Sequence, residues 1–528
     1  MKKRFTYFVL IFLLISCKEK QQWDIIILNG NVLDGNGTPA QQLDIGIKYG
    51  RIDAIGDLKD EKAAQIIDAT DLTVSPGFID LHAHIEPLMN LPDAESAVRQ
   101  GVTTSLGGPD GSCPWPLGKY MDSLQNNFSL GMNVAYLTGH NTIRRKVMGN
   151  ENRKPTPSEL DTMKAFVQRA MNEGAFGLST GLKYLPGTFA ETTEVIELSK
   201  VAAKSGGIYT SHLREEGLGL IAGVKEAIQI GKESGIPIVL THHKAIGKPM
   251  WGASKRTTAL VDSARKVGID VMMDQYPYTA SSTGLSVLFP SWALEGSSED
   301  FKKRVSDPIK KKKILEATLF NINNDRGGGD LHLIQFSSVD WDTTLQGKTL
   351  YDYALLNNVE PTPENGAKLA VEMQLKGGAG CIFHAISEED IVRIMQHPFT
   401  MHASDGSLSK IGEGFPHPRA FGTFPRVLGV YVREKNILKL EEAVRKMTSL
   451  PATRLGLKDR GYIRQGYMAD ITIFNANTIK DMATFERPHQ FPVGIEYVLV
   501  NGVLTVKGNV MMKERGGKVL RGPVYSLK

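Results

Sequence analysis

The sequence predicts an α/β fold: a (β/α)8 barrel of the TIM type, a small β-sandwich built from both termini, and an insertion between barrel strands 7 and 8. Three observations carry this. Eight apolar, β-rich runs alternate with helix-like stretches through the middle of the chain. The two ends share a texture of short apolar runs cut by turn signals. The seventh and eighth runs begin about 130 residues apart, far more than the other spacings.

Taken in order, residues 1–16 open with Lys2, Lys3 and Arg4 and continue in an apolar run from Phe5 to Ile15. A basic start and a short apolar stretch read as an export signal, too short to span a bilayer. Leu14-Ile15-Ser16-Cys17 resembles a bacterial lipobox, which makes Cys17 the expected lipidation site. The expectation is an exported lipoprotein, held to a membrane only through its anchor. Residues 17–75 (DIIILNGNVLDGNG, LDIGIKYGRIDAIGD) and 460–528 (YIRQGYMADITIFN, IEYVLVNGVLTVKGN) supply the sandwich.

Residues 76–459 hold the barrel. Its strands are expected at 78–84, 101–107, 133–139, 175–180, 207–212, 236–242, 269–276 and 399–405. Between them lie helical stretches such as GVKEAIQIGKESG, which closes on Gly235 as a helix C-terminus should. The lid-like insertion is expected near 283–395. It carries Lys310–Lys313, read as a solvated helix face, and Gly327-Gly328-Gly329.

Composition narrows the function. Hydrophobic residues are 41 % and charged residues 23 %, which excludes a mostly disordered or collagen-like chain. Three cysteines exclude a disulfide scaffold and a Cys-rich zinc module, and Cys113 and Cys381 are expected as free thiols. The formal charge is +5, and it falls to +2 without Lys2, Lys3 and Arg4, so charge gives no sign of a nucleic-acid partner.

Active sites of these barrels lie at the C-terminal ends of the strands. The first strand ends in His82-Ala83-His84, the fifth in His212, the sixth in His242 and the eighth in Asp405. Residues two apart on a strand face the same side. A lone buried histidine is usually structural, but four histidines and a carboxylate at strand ends form a ligand set suited to Zn²⁺. Zinc brings the pKa of a water from 15.7 to about 7 and polarises an amide carbonyl. Asp405 beside it can accept a proton and pass it to the leaving amine.

The stretches PGFIDLHAH (76–84), GVTTSLGGPDGS (101–112), GAFGLSTGLKYLPGTFA (174–190), YTSHLREEG (209–217), LTHHKAIGK (240–248), DQYPYTASST (274–283) and SDG…PHPRAFGTFPRVLG (404–429) resemble the amidohydrolase superfamily. More narrowly they resemble its D-aminoacylase (N-acyl-D-amino-acid deacylase) branch, from about residue 24 to 505 and most weakly in the insertion. The resemblance implies that His82, His84 and Asp405 ligate one metal position, and His212 and His242 the other. Many relatives place a cysteine after the second strand. Here Asp110 of Gly-Pro-Asp-Gly stands instead, as a bridging ligand, as a turn residue, or with Cys113 serving in its place. One or two zinc ions fit this set. No bridging modified lysine is indicated, although Lys183 and Lys244 lie near that depth.

For a substrate carboxylate the candidates are Lys244 and Arg419, with Tyr276 and Ser282 donating hydroxyl hydrogen bonds and Tyr184 lining the same cleft. Lys244 shares a face with His242 if strand 6 continues. The implied reaction is hydrolysis of an N-acyl-D-amino acid, or of a dipeptide ending in a D-residue, to a carboxylate and a free D-amino acid. The alternatives are a cyclic amidohydrolase of the hydantoinase or dihydroorotase kind and a non-catalytic lipoprotein that binds acylated peptides.

Overall fold

A computed structural model describes residues 23–526. Residues 1–16 and Cys17 lie outside the described residues.

The barrel strands are β1 (Phe78–Asp80), β2 (Val102–Gly107), β3 (Asn133–Tyr136), β4 (Gly177–Gly181), β5 (Ile208–His212), β6 (Ile238–Leu240), β7 (Val271–Gln275) and β8 (Thr400–His402). Each pairs in parallel with its neighbours, and β3 passes through Leu137 into Thr138–Gly139, which pairs with β4. The barrel closes between first and last strands just beyond their ladders. There Asp405 N donates to His82 O at 2.8 Å, and His84 N to Gly406 O at 2.9 Å.

Alternation along each strand explains both surfaces of the barrel. Ile79, Leu106, Ala135, Ile208, Val239, Met272 and Met401 point inward and fill the interior. Their neighbours Tyr209, Ile238, Leu240, Val271 and Met273 point outward and pack under helical residues such as Val224, Ala227 and Ile230. Those three sit on the helix Leu220–Ser234, which ends at Gly235 in the left-handed conformation (φ 72°), as the sequence predicts.

Strands from both ends of the chain join in one network of nine. Thr73–Pro76 pairs antiparallel with Ile471–Phe474, so the chain's beginning is sealed by its end. Ile25, Ile27, Ile45, Ile47, Ile67, Ile471, Ile473 and Leu499 form the apolar core of this unit.

The insertion between β7 and β8 has its own core, which includes Leu285, Leu288, Phe336 and Phe383. Its sheet is antiparallel: Ser281–Gly284 and Ile334–Ser338 flank Gly380–Phe383. Lys310–Lys313 lie exposed on the helix Pro308–Asn321. The helix Glu388–Gln396 packs against β8 and the helix Ser254–Lys266, so it belongs to the barrel wall. Cys113 and Cys381 are free. No helix among the described residues is long and apolar enough to cross a membrane.

Candidate metal centre and active site

Six side chains meet at the C-terminal mouth of the barrel. His82, His84, Asp110 and Asp405 form one group, and Asp110, His212 and His242 a second; within each, one ligand-competent atom per residue lies within 4.8 Å of all the others. Asp110 belongs to both. Its Oδ1 is 3.5 Å from His82 Nε2 and from His242 Nε2, and its Oδ2 is 3.6 Å from His84 Nε2 and 3.9 Å from His212 Nδ1. Asp405 Oδ1 lies 3.4 Å from His82 Nε2 and 3.3 Å from His84 Nε2. Cys113 is in neither group; its Sγ accepts from Gly139 N at 3.1 Å.

The backbone that presents these groups is unusual. Asp110 (φ 52°), His242 (φ 36°) and Asp405 (φ 49°) all adopt the left-handed conformation, which costs free energy in a non-glycine residue. Buried carboxylates hold the turns in place. Asp274 Oδ1 accepts from His242 N at 2.6 Å, and Asp80 Oδ1 from Ser404 N at 3.0 Å. Burial pushes the Asp80 carboxyl up to about 6, against the hydrogen bonds from Ser404. Burial acts the same way on Asp405, but Arg419 Nη1, 2.7 Å from Asp405 Oδ2, and the His242, His82 and His84 rings hold that carboxyl well below the usual carboxylate range.

The donor set suits a cation. Both ring nitrogens of His82, Nε2 of His212 and Oδ1 of Asp110 are buried with no hydrogen-bond partner. Groups so buried ordinarily find one. Imidazole nitrogens and carboxylate oxygens in groups of three and four are what zinc coordinates.

A cavity of about 490 Å³ opens over the cluster. Lys244, Tyr276, Ser282 and Tyr184 line it, as does Arg326 of the insertion. Arg419 lines an adjoining space of about 420 Å³ that also reaches His84, Ser282 and Asp405. Tyr276 stands between the two cations, with Arg419 4.8 Å and Lys244 5.6 Å from its ring centre, and its buried hydroxyl has no partner. The Tyr184 ring lies 4.5 Å from that of His212, and its hydroxyl accepts from Thr283. A further cavity of about 620 Å³ lies beyond Tyr184 and Leu185, walled by the insertion's Val287, Phe289, Trp292 and Phe301.

Strand 6 does not continue to Lys244: its ladder ends at Leu240 and the chain turns at His242. Lys244 therefore reaches the cavity by doubling back. Its Nζ donates to Glu216 at 2.6 Å and to His242 O at 2.7 Å. Lys183, the other lysine near this depth, pairs with Glu215 at 3.0 Å. Sequence reasoning also missed Asp80, Asp274, Glu216 and Arg326. Asp80, Asp274 and Glu216 stand in quoted stretches, PGFIDLHAH, DQYPYTASST and YTSHLREEG; Arg326 sits in the poorly matched insertion and gave no signal.

A profile of the amidohydrolase family matches residues 65–306 and 381–506. The chain is 34 % identical to a D-aminoacylase of Alcaligenes xylosoxydans xylosoxydans, over 96 % of this chain and 99 % of that protein. Its structure is similar to that of an N-acyl-D-glutamate deacylase from Bordetella Bronchiseptica complexed with zinc and a phosphonate inhibitor, a mimic of the reaction's tetrahedral intermediate (33 % identity, 95 % and 100 % of the two chains, TM-score 0.81). It is also similar to a D-aminoacylase studied for the role of its binuclear metal centre (33 % identity, 94 % and 100 % covered, TM-score 0.80). A family profile across most of the barrel and a relative matched over almost its whole length give one conclusion: this chain belongs to the amidohydrolase family.

Proposed function

We propose that the protein is a zinc-dependent hydrolase of N-acyl-D-amino acids, releasing a carboxylate and a free D-amino acid. The observation that carries this is the six-residue His/Asp cluster, joined through Asp110, at the floor of a cavity that also holds carboxylate-binding groups. Deacylases of D-amino acids among its relatives supply the substrate class and its chirality.

His82, His84, Asp110 and Asp405 would hold zinc at one position, and Asp110, His212 and His242 at the other. Bound there, zinc acidifies a water and polarises the scissile carbonyl. The chain's own residues do the rest. Asp405, ionised at neutral pH beside Arg419, takes a proton from the attacking water. It returns that proton to the amide nitrogen as the C–N bond breaks, so the amine departs neutral. Arg419, Lys244 and the unpartnered Tyr276 hydroxyl receive the substrate carboxylate, with Ser282 and Tyr184 on the cavity wall. The cavity beyond Tyr184, lined by apolar side chains such as Phe289 and Trp292 and by polar ones such as Lys183 and Asn321, gives an extended substituent of the substrate somewhere to go.

The proposal includes an exported lipoprotein anchored through Cys17, supported by the lipobox-like Leu14–Cys17. It divides the chain into β-unit segments 17–75 and 460–528 around a barrel of 76–459. Fractionating cells that express Cys17→Ser tests the anchor: loss of membrane association is expected, and unchanged association refutes it. The activity is tested with a panel of N-acetyl-D- and N-acetyl-L-amino acids, with metal analysis alongside. Turnover of D-substrates by zinc-loaded protein is expected. Bound zinc without turnover of any D-substrate would sink the proposal.

A further inference from the structure

We infer that Glu216 is a positioning residue: its one carboxylate faces His212 and His242 from behind and ties that pair to the insertion. The inference rests on the proposed reading of the cluster as a zinc site.

Glu216 follows β5, four residues after His212, and is 3 % exposed. Its Oε1 lies 3.1 Å from His242 Nδ1, and its Oε2 lies 3.6 Å from His212 Nε2, which has no other partner. The opposite nitrogens of these rings, His242 Nε2 and His212 Nδ1, face Asp110. One carboxylate thus stands behind both imidazoles, and another stands in front.

This arrangement matters because a histidine binds metal through a nitrogen free of its proton. The proton must sit on the other nitrogen, and an acceptor there fixes both tautomer and ring angle. Glu216 Oε1 is within accepting distance of His242 Nδ1 at 3.1 Å, while its Oε2 faces the unpartnered His212 Nε2 from 3.6 Å. A donor competes for one of them: Lys244 Nζ is 2.7 Å from His242 Nδ1. A hydrogen bond donated to Nδ1 would place the ring's single proton on Nε2, facing the cluster, where it blocks coordination. Glu216 opposes this twice, by accepting from Lys244 and by facing Nδ1 itself.

The same carboxylate meets the insertion. Arg326, 2 % exposed, brings Nη2 to 4.0 Å from Glu216 Oε2 and pairs with Asp325 at 3.2 Å. Asp325 in turn fills the space beside Gly217, where an added Cβ would lie 2.1 Å from its Oδ1. Glu216 O accepts from Ile246 N at 2.9 Å, which pins the residue between the loops after β5 and β6. The seat of the insertion and the angle of two metal-facing histidines therefore share one residue.

The test measures zinc affinity by competition with a chromophoric chelator on the full chain as wild type, Glu216→Gln and Glu216→Asp, with kcat and KM taken at increasing zinc. Gln keeps the shape and loses the charge. We expect Glu216→Gln to lose about 10- to 100-fold in zinc affinity, and Asp to recover part of that loss. We expect kcat of the Gln variant to rise with added zinc and KM to stay near wild type, a response that a merely structural role would not give. Wild-type zinc affinity in Glu216→Gln overturns the inference. Should that variant not fold, Glu216→Ala, which also removes the carboxylate, takes its place, and wild-type affinity there overturns the inference equally. If wild type binds zinc but deacylates nothing while Glu216→Gln loses affinity, the inference stands and the proposed reaction falls. If wild type deacylates and both variants bind zinc normally, only the inference falls.

Discussion

Asp405 illustrates what a single residue is asked to do at this site. It is buried, which raises a carboxyl pKa, yet Arg419 and the histidine rings keep it ionised. A charged group poised between two histidines and a cation can hold metal and carry a proton. Asp405→Asn keeps the shape and removes the proton acceptor. With zinc saturating, kcat for an N-acetyl-D-amino acid should fall by about 10²- to 10⁴-fold; full activity in steady-state assays of that variant would rule out the proton-transfer role. Asp110 and Lys244 show the two limits of residue-by-residue reading. Asp110 was picked out because an acid stood where many relatives place a cysteine, and it lies between both histidine groups. Lys244 is legible as a cation suited to a substrate carboxylate, but its path to the cavity is not, because the chain turns at His242 instead of continuing as a strand.

Among the elements, the turns after the strands are where strain and function coincide. The loop after β2 holds Asp110 and Gly111 in succession with positive φ, and a Cβ on Gly111 would lie 2.1 Å from Asn141 Oδ1 and 2.7 Å from Gly181 N. Gly111→Ala should therefore move Asp110, costing about 1–3 kcal/mol in chemical unfolding and lowering zinc content by metal analysis. Unchanged zinc content would show that the loop tolerates a side chain. A second element carries a buried charge with no bound role in the reaction. Lys446, fully buried, donates to the carbonyls of His397 and Thr400 at the entry to β8. Burial depresses it to about 7, although Glu442 lies 3.8 Å away and opposes this; Arg445 acts with burial. The folded pKa lies below the ordinary 10.5, so between about 7 and 10 the unfolded chain holds more protons and stability rises with pH. The penalty, on the order of 3–5 kcal/mol, is fully present below pH 7 and disappears by about pH 10. Denaturant melts of wild type and Lys446→Met at pH 6.5, 8 and 9.5 should converge or cross as pH rises. A pH-independent difference between the two would contradict this.

On the scale of the whole molecule, the cluster gathers residues from 82 to 405, so zinc binding should stabilise the entire barrel. Chelator-treated protein should melt lower than the zinc-loaded form, and zinc at about 100 times its Kd should add about 2.7 kcal/mol. Equal melting temperatures with and without zinc in calorimetry would mean that the metal is peripheral to the fold. The insertion matters at this scale too. It has its own core, yet it sends Arg326 into the site cavity and walls the larger cavity beyond Tyr184.

The sequence by itself determined the barrel, because continuous apolar, β-rich runs and helical stretches alternate through the middle of the chain and local patterning suffices to read them. It determined the pairing of the two ends through their shared strand texture, and the ligand-competent residues at strands 1, 5, 6 and 8 through their fixed place at strand ends. Only the tertiary structure decided where the strands stop, because the ladder of β6 ends two residues before His242 and a left-handed turn redirects the chain. Only it paired Lys244 with Glu216 and brought Arg326 beside them, across separations of 28 residues and more. Such contacts have no period or spacing in the chain. They arise when buried charges from distant loops must find partners in the same space.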